Sequence, residues 1–417
     1  MEITFLGVVF AVIIVLLAIG RPLYQAIAGG MVVTAVLFHL PVTIIGTKIV
    51  SVITNWSSLS VLLSLYLITF LQKILESRSQ IRLAQQDLNG IFHNRRINTA
   101  GAAFFIGLLP SAASMILCAD IVKDATEGYL DPKEQAFTAS WFRHIPESVL
   151  PTYTAVLLMS NLSGVEISEF ILYMIVPVLA LAGLGYAVYL HRIPNDTGTP
   201  ASTNRLADFA HLIQHLWSLL LILILILVFH FQVVTSVLVS IALCIIIYRV
   251  TLDEIRKFIF AAFEKKMLGN TFLVLCLKEL IAHTGVLLLL PDAMAKLPLP
   301  TYLIFGLLFF TATVISGSTG AIAMGTPLAF AAIPGGAPLM AYLMCMAHAA
   351  SQISPTHVCL VVAADYFHVT LGDIVKKTLP VSIAFCVLMT LYYNVIKQGE
   401  GKTICIREKK KKTSAVR

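Results

Sequence analysis

The stretch that decides the fold is FFTATVISGSTGAIAMGTPLAF, residues 309–330. Apolar residues flank its centre on both sides, but small polar residues and two glycines, Gly317 and Gly320, interrupt the centre itself. A membrane helix tolerates such a break only where the freed backbone groups are buried in protein or line a cavity. The segment therefore predicts an interrupted helix at membrane depth with a candidate binding site beside it.

Composition places the whole chain in a membrane. Hydrophobic residues make up 58% of it, charged residues only 12%, and the mean hydropathy is +0.88, whereas an ordinary soluble domain has roughly 25% charged residues. We therefore predict an all-α polytopic membrane protein of the inner (plasma) membrane. Because a span needs about 20 residues, we expect helices near 3–20, 22–40, 57–76, 136–160, 167–190, 207–229, 231–248, 267–290, 338–366 and 376–396.

Charge and cysteine usage exclude several classes of protein. The net charge of +7 lies largely in loops and in a C-terminal KKKK run, which suits anionic lipids and gives no nucleic-acid-binding pattern. The seven cysteines never form a CxxC pair, so neither a disulfide framework nor a zinc site is expected. No phosphate loop and no arrangement of nucleophile and base is present. We expect no enzyme activity and no cofactor beyond a coupling ion.

Two apolar segments differ from simple spans. Residues 98–125 contain GLLPSAASM and residues 301–335 contain the opening stretch, and each break leaves two halves too short to cross. Both segments predict re-entrant helical hairpins, which enter the membrane and return to the same side. Two amphipathic stretches, 42–54 and 251–265, predict helices lying along the membrane interface.

The chain also repeats itself at an offset of about 205 residues. The matched pairs are LPSAASM (109–115) with ISGSTGA (315–321), LPTYTAVLL (150–158) with SPTHVCLVV (354–362), and YLITFLQKIL (66–75) with FLVLCLKELI (272–281). Five spans and one hairpin in each copy would turn the second copy upside down. Inverted repeats whose broken helices meet at the midplane are the architecture of secondary transporters.

These copies define the expected domains. The first repeat is 1–195, with scaffold helices in 3–54 and a transport part in 57–190. The second is 206–396, with scaffold helices in 207–265 and a transport part in 267–396, and a basic tail follows at 397–417. Most loop arginines and lysines fall on one side, which should be cytoplasmic. The tail with Lys409 to Lys412 falls on the opposite side.

Two signatures carry a resemblance to a known family. WFRHIPES (141–148), followed by LPTYT, and SPTHVCLVVAADYF (354–367) resemble an uncharacterised membrane family of unknown function within the ion transporter superfamily. That superfamily also holds dicarboxylate/sodium symporters, gluconate permeases, TRAP large subunits and sodium/proton antiporters. The resemblance covers nearly the whole chain, although the first hairpin reads LPSAASM in place of an LPMPGGA form. It implies a homodimer with a scaffold domain and a transport domain that moves like an elevator.

The breaks define the candidate site. A half-helix that begins at a break presents N–H groups to an anion, and one that ends there presents carbonyls to a cation. The candidate substrate ligands are Ser111, Ser114, Arg143, His144, Thr152, Ser318, Thr319, Thr356 and His357. The candidate cation ligands are Ser111, Pro151, Thr152, Ser316, Gly317, Gly320, Ser354, Pro355, Thr356, Asp120 and Asp365.

Structural interpretations stay open for these residues. Small residues also permit close helix packing in membranes, Arg143 could anchor the chain at the headgroups, and buried histidines often serve as structural donors. Asp365 could cap a helix end, and Glu147 could pair with Arg143 four positions earlier.

Three functions fit the sequence. The first is a cation-coupled transporter of a small organic anion such as a carboxylate, with sodium favoured over protons as the coupling ion. The second is a sodium/proton antiporter with Asp120, Asp365 or His144 as the proton carrier. The third is a membrane subunit that requires a partner binding protein, as the TRAP large subunit does.

Overall fold

The computed structural model describes residues 2–80, 83–84, 87, 94–108, 113–196 and 204–414, with backbone only at 113, 114 and 399–414. All regular structure in these ranges is helical. The helices are α1 (Glu2–Ala18), α2 (Leu23–Leu37), α3 (Val42–Thr54), α4 (Trp56–Ser77), α5 (Arg95–Ile106), α6 (Ala113–Thr126), α7 (Pro132–His144), α8 (Thr154–Ser163), α9 (Ile167–Val188), α10 (Arg205–Leu227), α11 (Val233–Ile247), α12 (Leu252–Ala262), α13 (Lys265–Thr284), α14 (Leu290–Met294), α15 (Thr301–Ala332), α16 (Gly336–Ser351), α17 (Val358–Tyr366) and α18 (Leu371–Ser414).

Several of these helices have the length and apolarity of membrane spans. In the described ranges five do so: α4, α9, α10, α15 and the Leu371–Gln398 part of α18. A sixth is the bent pair of α13 with the segment Val286–Met294, whose two parts meet at 67°. Large apolar side chains on α9 and α18, such as Leu172 and Val395, are exposed. A lipid environment accounts for such surfaces, so the chain is a multi-pass membrane protein.

Helix α15 folds back on itself at Gly317. Its hydrogen bonding is helical on both sides, but Gly317 has φ 78° and ψ 164°, which is far from helical. Phe309 and Gly325 each lie eight residues from this point, and a Cβ added to Gly325 would come within 2.4 Å of the Phe309 ring. In a straight helix these residues would be roughly 24 Å apart. The two arms are therefore antiparallel, and the opening stretch forms the tip of a hairpin.

The first interrupted segment contains two short helices that pack together. α5 ends at Ile106, α6 begins at Ala113, and the two contact each other and α7. Of the residues between them, 109–112 lie outside the described part of the chain. Ile106 and Met115, on either side of this gap, are fully buried.

Two helices are broken near their middles, as the Pro-Thr segments predict. α7 begins at Pro132, where Asp131 and Glu134 form a capping box, and it ends at His144. After a 3-10 turn at Pro146–Ser148, α8 begins at Thr154. In the second half of the chain α16 ends at Ser351 and α17 begins at Val358.

Three details differ from the sequence-based expectations. The expected helix 267–290 ends at Thr284, because Gly285 adopts a left-handed conformation with φ 72° and turns the chain. The expected helix 376–396 begins earlier, at Leu371. Glu147 does not share a helix with Arg143, because α7 ends at His144 and Glu147 lies in the 3-10 turn.

The two halves of the chain pack against each other reciprocally. α2 contacts α13, and the elements at the matching positions, α11 and α4, also contact each other. In the same way, α3 contacts α13, and the helix that corresponds to α3, α12, contacts α4. Likewise α9 contacts α16, and its counterpart α18 contacts α7. Helices at matching positions of the two halves therefore make matching contacts with the other half.

Ion pairs join the two halves at the helix ends. Arg78, just after α4, donates to both carboxylate oxygens of Glu254 on α12, at 2.8 and 3.1 Å. Hydrogen bonding from Arg78 and from the Thr251 backbone lowers the pKa of Glu254 to about 2. Glu134 at the start of α7 accepts from Arg192 at 2.9 Å and from Lys377 of α18 at 3.2 Å.

Candidate functional site

A cavity of about 460 Å³ lies where the α15 hairpin tip meets the two broken helices. The tip contributes Ser316 to Thr319, the α16–α17 break contributes Ser354, Thr356 and His357, and the α7–α8 break contributes Glu147 and Thr154. The remaining wall comes from α2, from the start of α13, and from the last residue of α16 and the first residue of α17. Its residues are Leu23, Glu264, Lys266, Met267, Asn270, Thr271, Ser351 and Val358.

Short polar contacts hold the hairpin against the second break. Ser354 Oγ donates to the Val314 carbonyl oxygen at 2.9 Å and lies 2.8 Å from Thr356 Oγ1. Thr356 Oγ1 is only 3.4 Å from where a Cβ on Gly317 would lie. Ser316 Oγ donates to Ala312 O at 2.8 Å within the first arm. These contacts gather hydroxyl and carbonyl oxygens at one point, which is the ligand set that a hard cation requires.

A smaller cavity of about 180 Å³ adjoins the first. Ser318, Thr319, Glu147 and Glu264 line both. The smaller cavity also reaches Thr152, whose hydroxyl is buried and has no hydrogen-bond partner among the described residues. The hairpin tip therefore faces polar groups from both breaks.

Four helix beginnings point toward these cavities. The second arm of α15 begins beside Ser318, α17 begins at Val358, α8 at Thr154 and α13 at Lys265, and residues of each first turn line the walls. Each helix beginning exposes unpaired N–H groups and a partial positive charge. Their convergence adds partial positive charge, which attracts anions, to the cavity walls.

The formal charges on the walls are mixed. Glu147 and Glu264 are acidic, Lys266 is basic, and His357 Nε2 lies 3.9 Å from Glu147 Oε2. With two carboxylates against one lysine, the side chains alone do not make the cavity basic. The attraction for an anion therefore depends on the helix beginnings.

The structure brings about half of the candidate residues to these cavities. Those on the walls are Thr152, Ser316, Gly317, Ser318, Thr319, Ser354, Thr356 and His357. Gly320 is buried behind the tip, Pro355 is exposed, and Pro151 faces an apolar pocket beside Phe104 and Leu216. Ser111 lies outside the described residues, as does the side chain of Ser114.

Neither candidate aspartate reaches the cavities. Asp120 and Asp365 are both exposed. Asp120 accepts a hydrogen bond from the Tyr366 hydroxyl, at the end of α17 that lies away from the break. The structure thus does not bring these carboxylates to the hairpin tip or to the breaks.

Arg143 and His144 lie behind the cavity wall and do not line it. Arg143 is 2% exposed and its Nη1 is 3.5 Å from Cys359 Sγ. His144 is fully buried, and its ring packs edge-on against His357 with centroids 4.4 Å apart. The Tyr153 hydroxyl, in the same layer, donates to the Gly107 carbonyl near the end of α5.

A separate cleft of about 630 Å³ lies at the other end of α4 and α8. Its walls include Ser57, Asn161, Glu166 and Gln232, and it contains neither a hairpin tip nor a break. None of the candidate residues lines it.

Comparison with known proteins gives the chain a family. Residues 3–396 match the family described as "Protein of unknown function (DUF401)". The chain belongs to DUF401. No curated protein matches it.

A solved structure shares the fold of this DUF401 protein. The crystal structure of the YdaH transporter of Alcanivorax borkumensis superposes with a TM-score of 0.61, at 13% sequence identity, over 85% of this chain and 88% of that one. At this identity the likeness establishes the fold alone.

Several wall residues of this DUF401 protein are missing from the sequence-based candidates. Glu264, Lys266, Asn270 and Thr271 come from the start of α13, and Cys359 lies behind His357. In the sequence, Asn270 gave the clearest indication of a site, because an amide side chain within a membrane span is costly unless it forms hydrogen bonds or binds a ligand. Cys359 gave no such indication, since an isolated cysteine in an apolar run behaves as a small hydrophobic residue.

Proposed function

We propose that this DUF401 protein is a secondary active transporter that couples sodium to the movement of a small organic anion, such as a carboxylate. The observation that carries the proposal is the convergence of four helix beginnings on the cavities at the α15 tip. The fold shared with a protein named as a transporter supports it, as does a cavity of about 460 Å³, a size that suits a small molecule.

The cation site of the proposal lies between the hairpin tip and the second break. The hydroxyls of Ser354 and Thr356 lie 2.8 Å apart there. Thr356 adjoins Gly317, whose carbonyl oxygen lies 3.4 Å from Ser316 Oγ. Sodium is a hard cation that prefers such neutral oxygen ligands. A bound cation would also stabilise an anion in the adjoining cavity, which is the physical basis of coupling in this proposal.

The transport cycle of the proposal is an elevator motion of inverted repeats in a homodimer within the ion transporter superfamily. Reciprocal packing between the halves supports the repeat. In the orientation expected from the loop arginines and lysines, Leu23 and Lys266 lie near the cytoplasmic ends of α2 and α13. The cavity would then open to the cytoplasm, so a cysteine introduced by Ser318→Cys should react with an impermeant maleimide from that side only.

Uptake by the purified protein in liposomes tests the proposal. An inward sodium gradient should drive accumulation of a radiolabelled carboxylate found by a thermal-shift screen with and without sodium. Thr356→Ala and Ser316→Ala should each raise the sodium concentration for half-maximal uptake, whereas Ser163→Ala, far from the tip, should not. Unchanged sodium dependence in both variants would remove the proposed cation site.

The same assay separates the two other candidate functions. A sodium/proton antiporter would change the internal pH under a sodium gradient without any organic substrate. A subunit that needs a binding protein would be inactive until that partner was added. The exposed positions of Asp120 and Asp365 leave neither of them at the breaks, so of the three expected proton carriers only His144 lies there.

A further inference from the structure

A cluster of metal-ligating side chains joins the two broken helices behind the cavity wall. His144 is the last residue of α7, His357 immediately precedes α17, and Cys359 lies in the first turn of α17. One ligand atom from each residue lies within 4.8 Å of the other two. The α7–α8 and α16–α17 breaks thus bring together two imidazoles and a thiol from sequence positions more than 200 residues apart.

Each imidazole has its Nδ1 engaged by a neighbouring polar group. His357 Nδ1 lies 3.2 Å from the Ser351 carbonyl oxygen, which can only accept, so Nδ1 carries the proton and Nε2 the lone pair. His144 Nδ1 lies 3.3 Å from Ser140 Oγ. His144 Nε2 is buried and has no hydrogen-bond partner among the described residues. Imidazoles that bind metals are held in this way, with the second nitrogen engaged by an outer group.

An unpartnered nitrogen in a fully buried ring is costly. His144 is 0% exposed, so water does not satisfy Nε2 from the surface. A ligand that fills this position would remove the penalty. The other groups nearby, the Cys359 thiol and the His357 ring, are themselves metal ligands.

We propose that His144, His357 and Cys359 bind a divalent transition-metal ion of the zinc and cobalt class, with Glu147 as the fourth ligand. The Glu147 carboxylate fits this role because its Oε2 lies 3.9 Å from His357 Nε2. In a tetrahedral site with metal–nitrogen and metal–sulfur bonds of about 2.0–2.3 Å, the ligand atoms are roughly 3.3–3.6 Å apart. The three atoms of the cluster lie within 4.8 Å of one another, so binding requires the side chains, Glu147 included, to move closer together.

The charges around the site suit a thiolate ligand. Arg143 Nη1 donates to Cys359 Sγ at 3.5 Å, so a fixed positive charge lies beside this sulfur ligand. The thiolate and the Glu147 carboxylate together neutralise a dication. An imidazole, thiolate and carboxylate set matches the ligands that Zn²⁺ prefers.

A path to the site exists from the cavity. His357 and Glu147 both line the 460 Å³ space, whereas His144 lies behind them. An ion entering the cavity would meet these two side chains first. Once bound, it would fix the end of α7 to the start of α17 and so hold the two breaks in one relative position.

Cobalt provides the direct test, because a cobalt–thiolate bond gives a near-ultraviolet charge-transfer band that imidazole and carboxylate ligands do not give. The full-length protein, in detergent and after removal of any affinity tag, is titrated with Co²⁺. We expect one Co²⁺ per chain, the thiolate band, and displacement of both by Zn²⁺. Zn²⁺ should also raise the thermal unfolding temperature by mass action.

Variants assign the ligands. Cys359→Ser should abolish the band and weaken Co²⁺ binding by at least about tenfold, because the loss of even an outer-shell partner typically costs about 10- to 100-fold in affinity. His144→Ala should weaken binding similarly. The matched control is Cys276→Ser, which removes a buried free thiol of α13 and should leave the band intact.

The proposal fails if the wild-type protein gives no saturable thiolate band, or if the band survives in Cys359→Ser. The titration of the wild-type protein does not depend on the folding of any variant, and Cys359→Ser replaces only the sulfur atom by oxygen. The proposal can therefore be tested even if another variant fails to fold. The readout is metal binding in detergent, so it is independent of whether the protein transports an anion.

Discussion

The Ser354 hydroxyl donates a hydrogen bond of 2.9 Å to the Val314 carbonyl oxygen. Val314 lies in the last turn of the first arm of the α15 hairpin, three residues before Gly317, and Ser354 lies in the α16–α17 break. One side chain therefore joins two interrupted helices. It also orients Thr356, whose backbone N–H donates to Ser354 Oγ at 3.3 Å.

Ser354→Ala should destabilise the protein by about 1–3 kcal/mol, because Ser354 is fully buried and its loss leaves the Val314 carbonyl without this donor. Thermal or denaturant unfolding in detergent measures the change. Thr47→Ala, which removes an exposed hydroxyl bonded within its own helix, is the control and should change stability by well under 1 kcal/mol. Equal effects in the two variants would show that the Ser354 bond does not hold the tip.

Gly317→Ala should cost about 1–3 kcal/mol, because φ 78° with ψ 164° is a conformation that only glycine adopts without strain. The added methyl would also meet Thr356 Oγ1 at 3.4 Å. Unfolding and uptake are measured together. Gly46→Ala, in α3 with open space around it, should be neutral or stabilising, and a neutral Gly317→Ala would contradict the hairpin geometry.

Gly325→Ala should destabilise the hairpin by about 1–3 kcal/mol through overpacking, since the new Cβ would lie 2.4 Å from Cε2 of Phe309. Phe309→Leu shortens the side chain that causes the clash. The double variant should therefore lose less stability than the sum of the two single variants, a coupling that a double-mutant cycle measures. Strict additivity would mean that the arms are not in contact.

Glu254→Gln should destabilise the protein near neutral pH. The pKa of Glu254 is lowered from 4.5 to about 2, mainly by the hydrogen bond from Arg78, so the folded state binds the proton more weakly than the unfolded state does. The stabilisation is fully present above about pH 4.5 and disappears as the pH falls toward 2. The difference in unfolding temperature between wild type and Glu254→Gln should shrink over that interval.

Asp253→Asn is the control for this pH dependence. It removes the neighbouring negative charge and leaves the Arg78–Glu254 pair in place. A stability difference for Glu254→Gln that stayed constant between pH 6 and pH 3 would contradict the assignment.

Much of this architecture could be predicted from local sequence. The break at Gly317 follows from glycines and hydroxyl residues in an apolar run, and the breaks before Thr154 and Val358 follow from the Pro-Thr pairs, because proline cannot continue a helix at these points. Helices α3 and α12 follow from the amphipathic patterns of 42–54 and 251–265. The turn at Gly285 was missed, because a glycine inside an apolar run does not by itself reveal a left-handed residue.

The site was less predictable than the fold. Ser318, Thr319, Thr356 and His357 were found because they adjoin breaks that local patterns mark. Lys266 and Asn270 were missed because only tertiary packing brings the start of α13 to the hairpin tip. Arg143 was found as a buried cation, but it faces Cys359 and not the cavity, and a sequence pattern does not give the direction of a side chain.

The matching contacts between the two halves bear on how the chain could have evolved. The contact of α2 with α13 and the matching contact of α11 with α4 have the pattern that two copies of a half-length chain would make across an isologous dimer interface. The residues between the two halves, 196–205, would then mark the junction of a gene duplication. Separately expressed halves, cut within 197–203, should on this view reassemble in the membrane.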